Sequence, residues 1–420
     1  MSLEVDAVVS ARLTPLGRER LRLDPVSLWL QWEMFGQLIT DVQRALLQQE
    51  RLSGWEQADV MPVIEAWVSE RTGLYGNGLR RVAQRIDWEL FGWGILEPLI
   101  ADESVTDIMA SAQEIWIQQD GVKRRLSIRF RDEEHMIRIA RKIAHAAGQS
   151  ITVGEPFATC AVRGMRINVM IPPVSAEGTT IIVRKYRERR WTEQAYLRAG
   201  TLNSDIWRFL SDAMKAGLTG IISGPMGSGK TTLLQSLIAH VPDGEGILVA
   251  ETVPELFLKT LYPSKCIISV IPRLRGHESS RVSLEQLFEN ALHQNVRRFI
   301  FGEIRGAETA LVLEAFQTGH SGWTTMHGDD PKDTAQRLVH MCLRSQRQMD
   351  PEYTGKMIAH AVDLIVQMRH YRVTEVAEVT GYRNCQPETA PLYVYEDGCW
   401  VKRESPSSAL LAKIKRGIGS

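Results

Sequence analysis

Nothing in the 420 residues approaches the roughly 20 consecutive apolar residues that cross a bilayer, so a membrane span is not expected. The opening stretch, Met1 to Leu23, holds Glu4, Asp6 and several arginines where a secretory signal would have its apolar core. Cysteine is sparse: Cys160, Cys266, Cys342, Cys385 and Cys399 are scattered, odd in number and form no C-x-x-C pair. That spacing argues against a disulfide framework and against a thiolate metal site, and suits reduced thiols in a cytoplasmic chain. An excess of charge of either sign is also missing, with 50 basic against 50 acidic residues. A protein that wraps nucleic acid is therefore not expected. Internal repeats and low-complexity tracts are absent. What is plentiful is apolar residues, 44% of the chain, in a length that calls for two or more domains.

The spacing of those apolar residues predicts three textures. Residues 1–90 read as a helical extension. Asp24-Pro25 resembles an N-cap followed by proline at the first helical position, and Leu28, Trp32, Phe35, Ile39, Val42 and Leu46 then share one face. A second amphipathic stretch spans Val60–Arg71, and a third spans Leu79–Phe91 behind an Asn77-Gly78 turn signal. Residues 91–188 read as a smaller α+β domain, with a hairpin of Glu114–Ile117 and Val122–Ile128, a helix at Glu133–Ala147, and strands at Ile167–Ile171 and Thr179–Val183. Residues 189–201 are the expected linker. From 202 to 400 strands and helices alternate, as in a mostly parallel sheet with right-handed crossovers, and 401–420 reads as a loose tail.

The chemistry gathers in that alternating region. Gly224-Pro-Met-Gly227-Ser228-Gly229-Lys230-Thr231 fits G-x-x-x-x-G-K-[ST] at every position, between an apolar strand and a helix. Glycines let the turn wrap phosphate oxygens with backbone N–H groups, and the next helix, beginning Lys230-Thr231-Thr232, turns its positive end to the same anion. Lys230 would neutralise β- and γ-oxygens, and the Thr231 hydroxyl would ligate Mg²⁺. ATP and Mg²⁺ are the implied ligands. Hydrolysis also needs a carboxylate to polarise water and a group that senses phosphate. Glu251 closes one apolar strand with Glu255 four residues on, Glu303 closes a second, and His327 a third. At the C-terminal edge of a parallel sheet these would face the phosphate loop, with Glu303 a further candidate for Mg²⁺. His320, between Gly319 and Gly322, reads as a loop-holding residue.

The ordered boxes carry a resemblance. The phosphate loop, Glu251-Thr-Val-Pro-Glu255, Gly302-Glu303-Ile304-Arg305-Gly306, Thr318-Gly319-His320 and Thr324-Thr325-Met326-His327 resemble the type II/type IV secretion and pilus-assembly ATPase superfamily. Asp102–Met109, Arg166-Ile-Asn-Val, Ile171-Pro-Pro173 and Ile182-Val-Arg184-Lys185 are similar to the N-terminal domain of its CpaF branch, which powers tight-adherence pili. The resemblance implies a RecA-like P-loop NTPase domain behind a PAS-like α+β domain, working as a hexameric ring in the cytoplasm. It also implies a partner, an inner-membrane platform protein. Matched residue by residue, Glu251 and Glu255 are the first and last acids of the family's Asp box, Glu303 its Walker B acid and His327 its His-box sensor. Arg184, Arg273 and Arg275 are candidates for arginines that reach the phosphates. Thr252 replaces the middle acid of the Asp box, and Trp323 adds bulk to the His box. Two alternatives stay open: a nucleotide-gated scaffold with little turnover, suggested by Thr252, and a DNA-translocating ring, which the balanced charge disfavours.

Overall fold

The computed structural model describes residues 36, 39–44, 57–186, 191–272, 282–292, 296–306, 308–317, 319–345 and 349–419. The chain divides into two units, Met1–Arg187 and Glu188–Ser420.

In the first unit, two helices, Gln57–Thr72 and Gly76–Leu90, bury one face each against the other. Val60, Ile64 and Val68 meet Val82, Ala83 and Ile86, with Val42 of the short helical piece Ile39–Arg44 added to the cluster. The rest of the first expected helix lies outside the described residues. Asn77-Gly78 is not a separate turn; both residues sit in the first helical turn, because Gly76 already adopts the left-handed conformation (φ 59°) that redirects the chain. Behind these helices comes a wholly antiparallel sheet in the order β3-β2-β1-β6-β5-β4. Its strands are β1 Val105–Ser111, β2 Glu114–Gln119, β3 Val122–Arg129, β4 Phe157–Val162, β5 Met165–Met170 and β6 Thr180–Lys185. The helix Glu133–Ala146 covers one face with Met136, Ile139, Ala140 and Ile143. Asp132 caps it by accepting from the His135 amide, as its position predicts. Polar groups tie the helical part to the sheet part. His135 Nε2 is 3.0 Å from Glu89 Oε2, Lys142 Nζ donates to the carbonyls of Glu89 and Leu90, and Arg163 pairs with Glu97 through both carboxylate oxygens.

The second unit starts earlier than the sequence suggests. Within the expected linker, Thr192 caps a helix, Glu193–Arg198, and Tyr196 is buried in the unit's core with its hydroxyl donating to Thr232 O. The helix Ser204–Ala216 follows, capped by Asn203 and ended by left-handed Gly217. Nine strands then form one sheet, in the order β15-β14-β13-β12-β7-β11-β10-β8-β9 among the described residues. They are β7 Gly220–Ser223, β8 Ile247–Ala250, β9 Ile267–Val270, β10 Arg298–Phe301, β11 Ser321–Met326, β12 Leu364–Arg369, β13 Arg372–Arg383, β14 Gln386–Glu396 and β15 Cys399–Lys402. From β12 to β9 all pairings are parallel, and from β12 to β15 all are antiparallel.

Strands β7, β8 and β10 are buried along their whole length because helices cover both faces. Alternate residues feed two cores: Ile222, Val249 and Ile300 on one side, Ile221, Leu248 and Phe299 on the other. This is a mixed α/β, RecA-like unit. The C-terminal segment, expected as a loose tail, is ordered. β15 extends the sheet, and the helix Ser408–Gly419 packs on Ser204–Ala216 through Leu410. Ser407 donates from both its amide and its hydroxyl to the Glu378 carboxylate, which anchors the start of that helix. Its alternating basic and apolar residues show which face is buried only once the neighbouring helix is placed.

Candidate functional site

Strands β7, β11, β10 and β8 are neighbours and run parallel, so their C-terminal ends lie along one edge of the sheet. Each end carries one of the singled-out groups. β7 stops at Ser223 and opens into the Gly224–Thr231 loop, whose helix runs from Lys230 to Leu237. β11 stops at Met326 before His327, β10 at Phe301 two residues before Glu303, and β8 at Ala250 before Glu251.

The loop has the geometry of an anion cradle. Gly224, Gly227 and Gly229 all have positive φ (149°, 72° and 98°), a backbone that side chains rarely adopt. At Gly224 a Cβ would also stand 2.2 Å from Met368 O. Lys230 Nζ donates to the carbonyls of Gly224 (2.8 Å) and Pro225 (2.9 Å), so its ammonium arches back over the loop. Burial holds Lys230 below the ordinary lysine range, with Glu303 opposing that shift. Ser228 Oγ is buried without a hydrogen-bond partner, and a Cβ added to Gly224 would meet it at 2.9 Å. A triphosphate fits these features: it would accept from Lys230 and the loop amides and supply the acceptors the loop lacks.

Glu303 is held between Arg305 and His327. Arg305 donates to it from Nε at 2.8 Å and again from its terminal nitrogen, and His327 Nε2 lies 3.1 Å from its other oxygen. The opposite face of the imidazole is fixed as well, with Nδ1 3.1 Å from Gly224 O. His327 therefore bridges the loop and the β10 carboxylate. Arg305 is kept protonated first by Glu303, with Glu255 and Glu308 adding to the field. Sequence reasoning places Arg305 in a box without giving it a task; its position two residues after a strand-end acid is the signal that could have found it.

The two acids after β8 behave differently. Glu251 is buried, and its Oε1 accepts from the amides of Glu255 (3.0 Å) and Leu256 (3.1 Å). Burial pushes its carboxyl up to about 7, the two amides opposing and the Glu255 charge adding. Gly302 makes room for it, since a Cβ there would meet Glu251 Oε1 at 2.8 Å. Gln235, from the phosphate-loop helix, donates to the carbonyls of Glu255 and Leu256 and closes the same loop from the other side. Glu251 thus spends one oxygen holding the loop that carries Glu255. Thr252 is exposed.

Thr231, half-buried in the first turn of the Lys230–Leu237 helix, and Glu303 are hard oxygen donors of the kind Mg²⁺ takes. Among the described residues no group of three or more His, Cys, Asp or Glu is placed to hold a metal. Arg184 lies on β6 of the first unit and pairs with Asp107 at 2.9 Å. Arg273 and Arg275 lie outside the described residues, as does Thr318. The ring of His320 packs edge-on against Phe299 at 4.7 Å, and burial lowers its pKa.

The type II/IV secretion system protein family matches residues 89–401 of the chain. A putative conjugal transfer protein of Mycobacterium tuberculosis is 28% identical over 319 residues, 73% of this chain and 89% of the relative. The type IV secretion system protein VirB11 of Brucella abortus is 24% identical over 303 residues, 66% of this chain and 83% of its own. Among solved structures, the Legionella pneumophila ATPase DotB is similar over 69% of this chain and 76% of its own, at 19% identity and a TM-score of 0.48.

Proposed function

The chain belongs to the type II/IV secretion system protein family, and from that premise we propose that it is a ring-forming ATPase that hydrolyses MgATP to drive a secretion or pilus machine. One observation carries the hydrolytic reading: four adjacent parallel strands end in a phosphate cradle, an imidazole and two carboxylate clusters along one edge. Lys230 exchanges its loop carbonyls for phosphate oxygens when the triphosphate arrives. Glu255, on the loop pinned by Glu251 and Gln235, takes a proton from the attacking water as the bond from the γ-phosphorus to the bridging oxygen breaks. ADP and inorganic phosphate leave. His327, already bonded to the loop and to Glu303, couples occupancy of the loop to the β10 side of the site. Thr231 and Glu303 would hold Mg²⁺ together with the phosphates, and the ion would supply charge neutralisation there.

The hexameric ring, the inner-membrane platform partner and a cytoplasmic place beside that membrane follow from the family boxes. So does the CpaF-type role in pilus assembly. Among the described residues no helix is long and apolar enough to cross a membrane. Phosphate release and nucleotide binding measured on the same preparation test the reading. Lys230→Ala is expected to lose nucleotide binding. Glu255→Gln is expected to bind normally and turn over about 100-fold more slowly or worse. Unchanged turnover in Glu255→Gln removes it as the base. Tight binding with negligible wild-type turnover favours instead the nucleotide-gated scaffold that the exposed Thr252 suggests.

A further inference from the structure

The acids and the imidazole of the site come from the strands on one side of β7, namely β11, β10 and β8. On its other side β7 pairs with β12, Gly220 to Ser223 lying opposite Leu364 to Gln367. A nucleotide seated on the loop with its terminal phosphate toward Glu303 and His327 carries its base toward the β12 side.

What stands there is the turn between β12 and β13. Arg369 pairs with Arg372, leaving His370 and Tyr371 as a two-residue turn with both residues left-handed, φ 49° and 60°. Such turns favour Asn-Gly. Ala112-Gln113 and Asn384-Cys385 also have positive φ, so the backbone alone signals nothing. Position does. A Cβ added to Gly229 would stand 3.5 Å from Tyr371 Cδ1 and 3.3 Å from Met368 Cε, so the ring stands about one side-chain carbon away from the phosphate loop. Yet Tyr371 is 69% exposed, so the ring stands beside the loop without being buried by it.

The end of β12 is firmly set. Gln367 Nε2 donates to Gly328 O at 3.0 Å, Ser223 Oγ donates to Gln367 Oε1, and Arg369 reaches Asp329 O. A large flat apolar face on a turn anchored by that strand end, beside a phosphate cradle, is a stacking surface.

We infer that Tyr371 is the base-stacking platform of the nucleotide site. The inference rests on the nucleotide-binding reading of the loop. Stacking on a ring face tolerates any base and strengthens with ring size, so recognition here favours purine nucleotides through area rather than through hydrogen bonds.

Calorimetric titration of the full chain with two probes, a non-hydrolysable ATP analogue and inorganic tripolyphosphate, both with Mg²⁺, tests it. Tyr371→Gly removes the ring and relieves the left-handed backbone, so its melting temperature should not fall. Analogue affinity is expected to drop on the order of 10-fold while tripolyphosphate affinity stays at the wild-type value. Tyr371→Phe should match wild type for both. An equal loss for both probes, or no loss of analogue affinity, overturns the assignment. Lys230→Ala separates the two levels. If it leaves both probes bound as in wild type, the nucleotide reading fails and takes the platform with it. If it loses both while Tyr371→Gly changes neither, only the platform fails.

Discussion

At the scale of single residues, Glu251 couples the site to pH. Its folded pKa is raised to about 7 because burial outweighs the two amide hydrogen bonds, whereas an unfolded chain would titrate it near the ordinary carboxylate value. Between those two values the folded state holds a proton that the unfolded state has released. This contribution to stability is therefore greatest at low pH, declines as pH rises through the interval, and levels off above the folded pKa. Glu251→Gln keeps a carbonyl acceptor for the Glu255 and Leu256 amides and removes the titration. Between pH 5 and pH 8 the denaturant midpoint of the wild type should fall relative to that of the variant. The fall corresponds to a few kcal/mol, since a proton held across each pH unit of that interval is worth about 1.4 kcal/mol. Parallel curves would show that Glu251 is not the titrating group.

The identities of Lys230, Glu303 and His327 are legible in the sequence because strand-end position after a phosphate loop restricts what they can face. That Glu251 holds the Glu255 loop is not legible. It depends on an oxygen meeting two amides four and five residues away, which spacing does not reveal. The nearness of Tyr371 to Gly229 is hidden for the same reason, since it depends on how a loop closes in space.

Among the elements, the strands flanking the phosphate loop stand where the sequence puts them, because apolar runs of four to six residues bounded by glycines have few other readings. Strand β12 escapes sequence reading: its Leu364–Arg369 run follows helix Pro351–Ala361 almost without a break, and no turn signal separates them. The helices Pro331–Leu343 and Pro351–Ala361 are absent from the sequence expectations despite a readable sign. Each is preceded by aspartate and begins with proline, and Asp330 and Asp350 cap them by accepting from Asp333 and Tyr353 amides.

The bulk that Trp323 brings to β11 also has an explanation. Its ring lies over Gly220 on β7, where a Cβ would stand 2.6 Å from three ring atoms, and its indole N–H donates to Leu218 O. The small residue beside the phosphate-loop strand is thus the seat of the large one. Gly220→Ala is expected to destabilise by about 1–3 kcal/mol through overpacking. Trp323→Leu in the same chain should recover part of that loss, giving a non-additive double-mutant cycle by chemical denaturation. Additive losses would mean that the two residues do not press on one another.

At the scale of the whole molecule, the balanced charge of 50 against 50 leaves no global field to steer a nucleic acid, and assembly falls to local surfaces. Ring formation is expected to depend on MgATP and to be visible by light scattering. If Arg184 reaches a neighbouring subunit's phosphates, Arg184→Ala lowers turnover while nucleotide affinity stays within a few-fold of wild type. Mixing inactive Arg184→Ala and Lys230→Ala subunits then restores part of the turnover, because each supplies what the other lacks. No recovery on mixing would confine Arg184 to its pair with Asp107.

The sheet of the second unit bears on how such copies meet. An open sheet has two rims of unpaired peptide groups, and a long flat rim invites strands from another chain. Among the described residues the outermost strands are β9 and β15, each four residues long, and β15 ends in Lys402 followed by Arg403 and Glu404. At the β15 rim, a strand this short and ending in charge gives an incoming strand few ladder bonds to dock. Copies meeting there are expected to associate through side-chain surfaces rather than through a continuous sheet that would grow without limit.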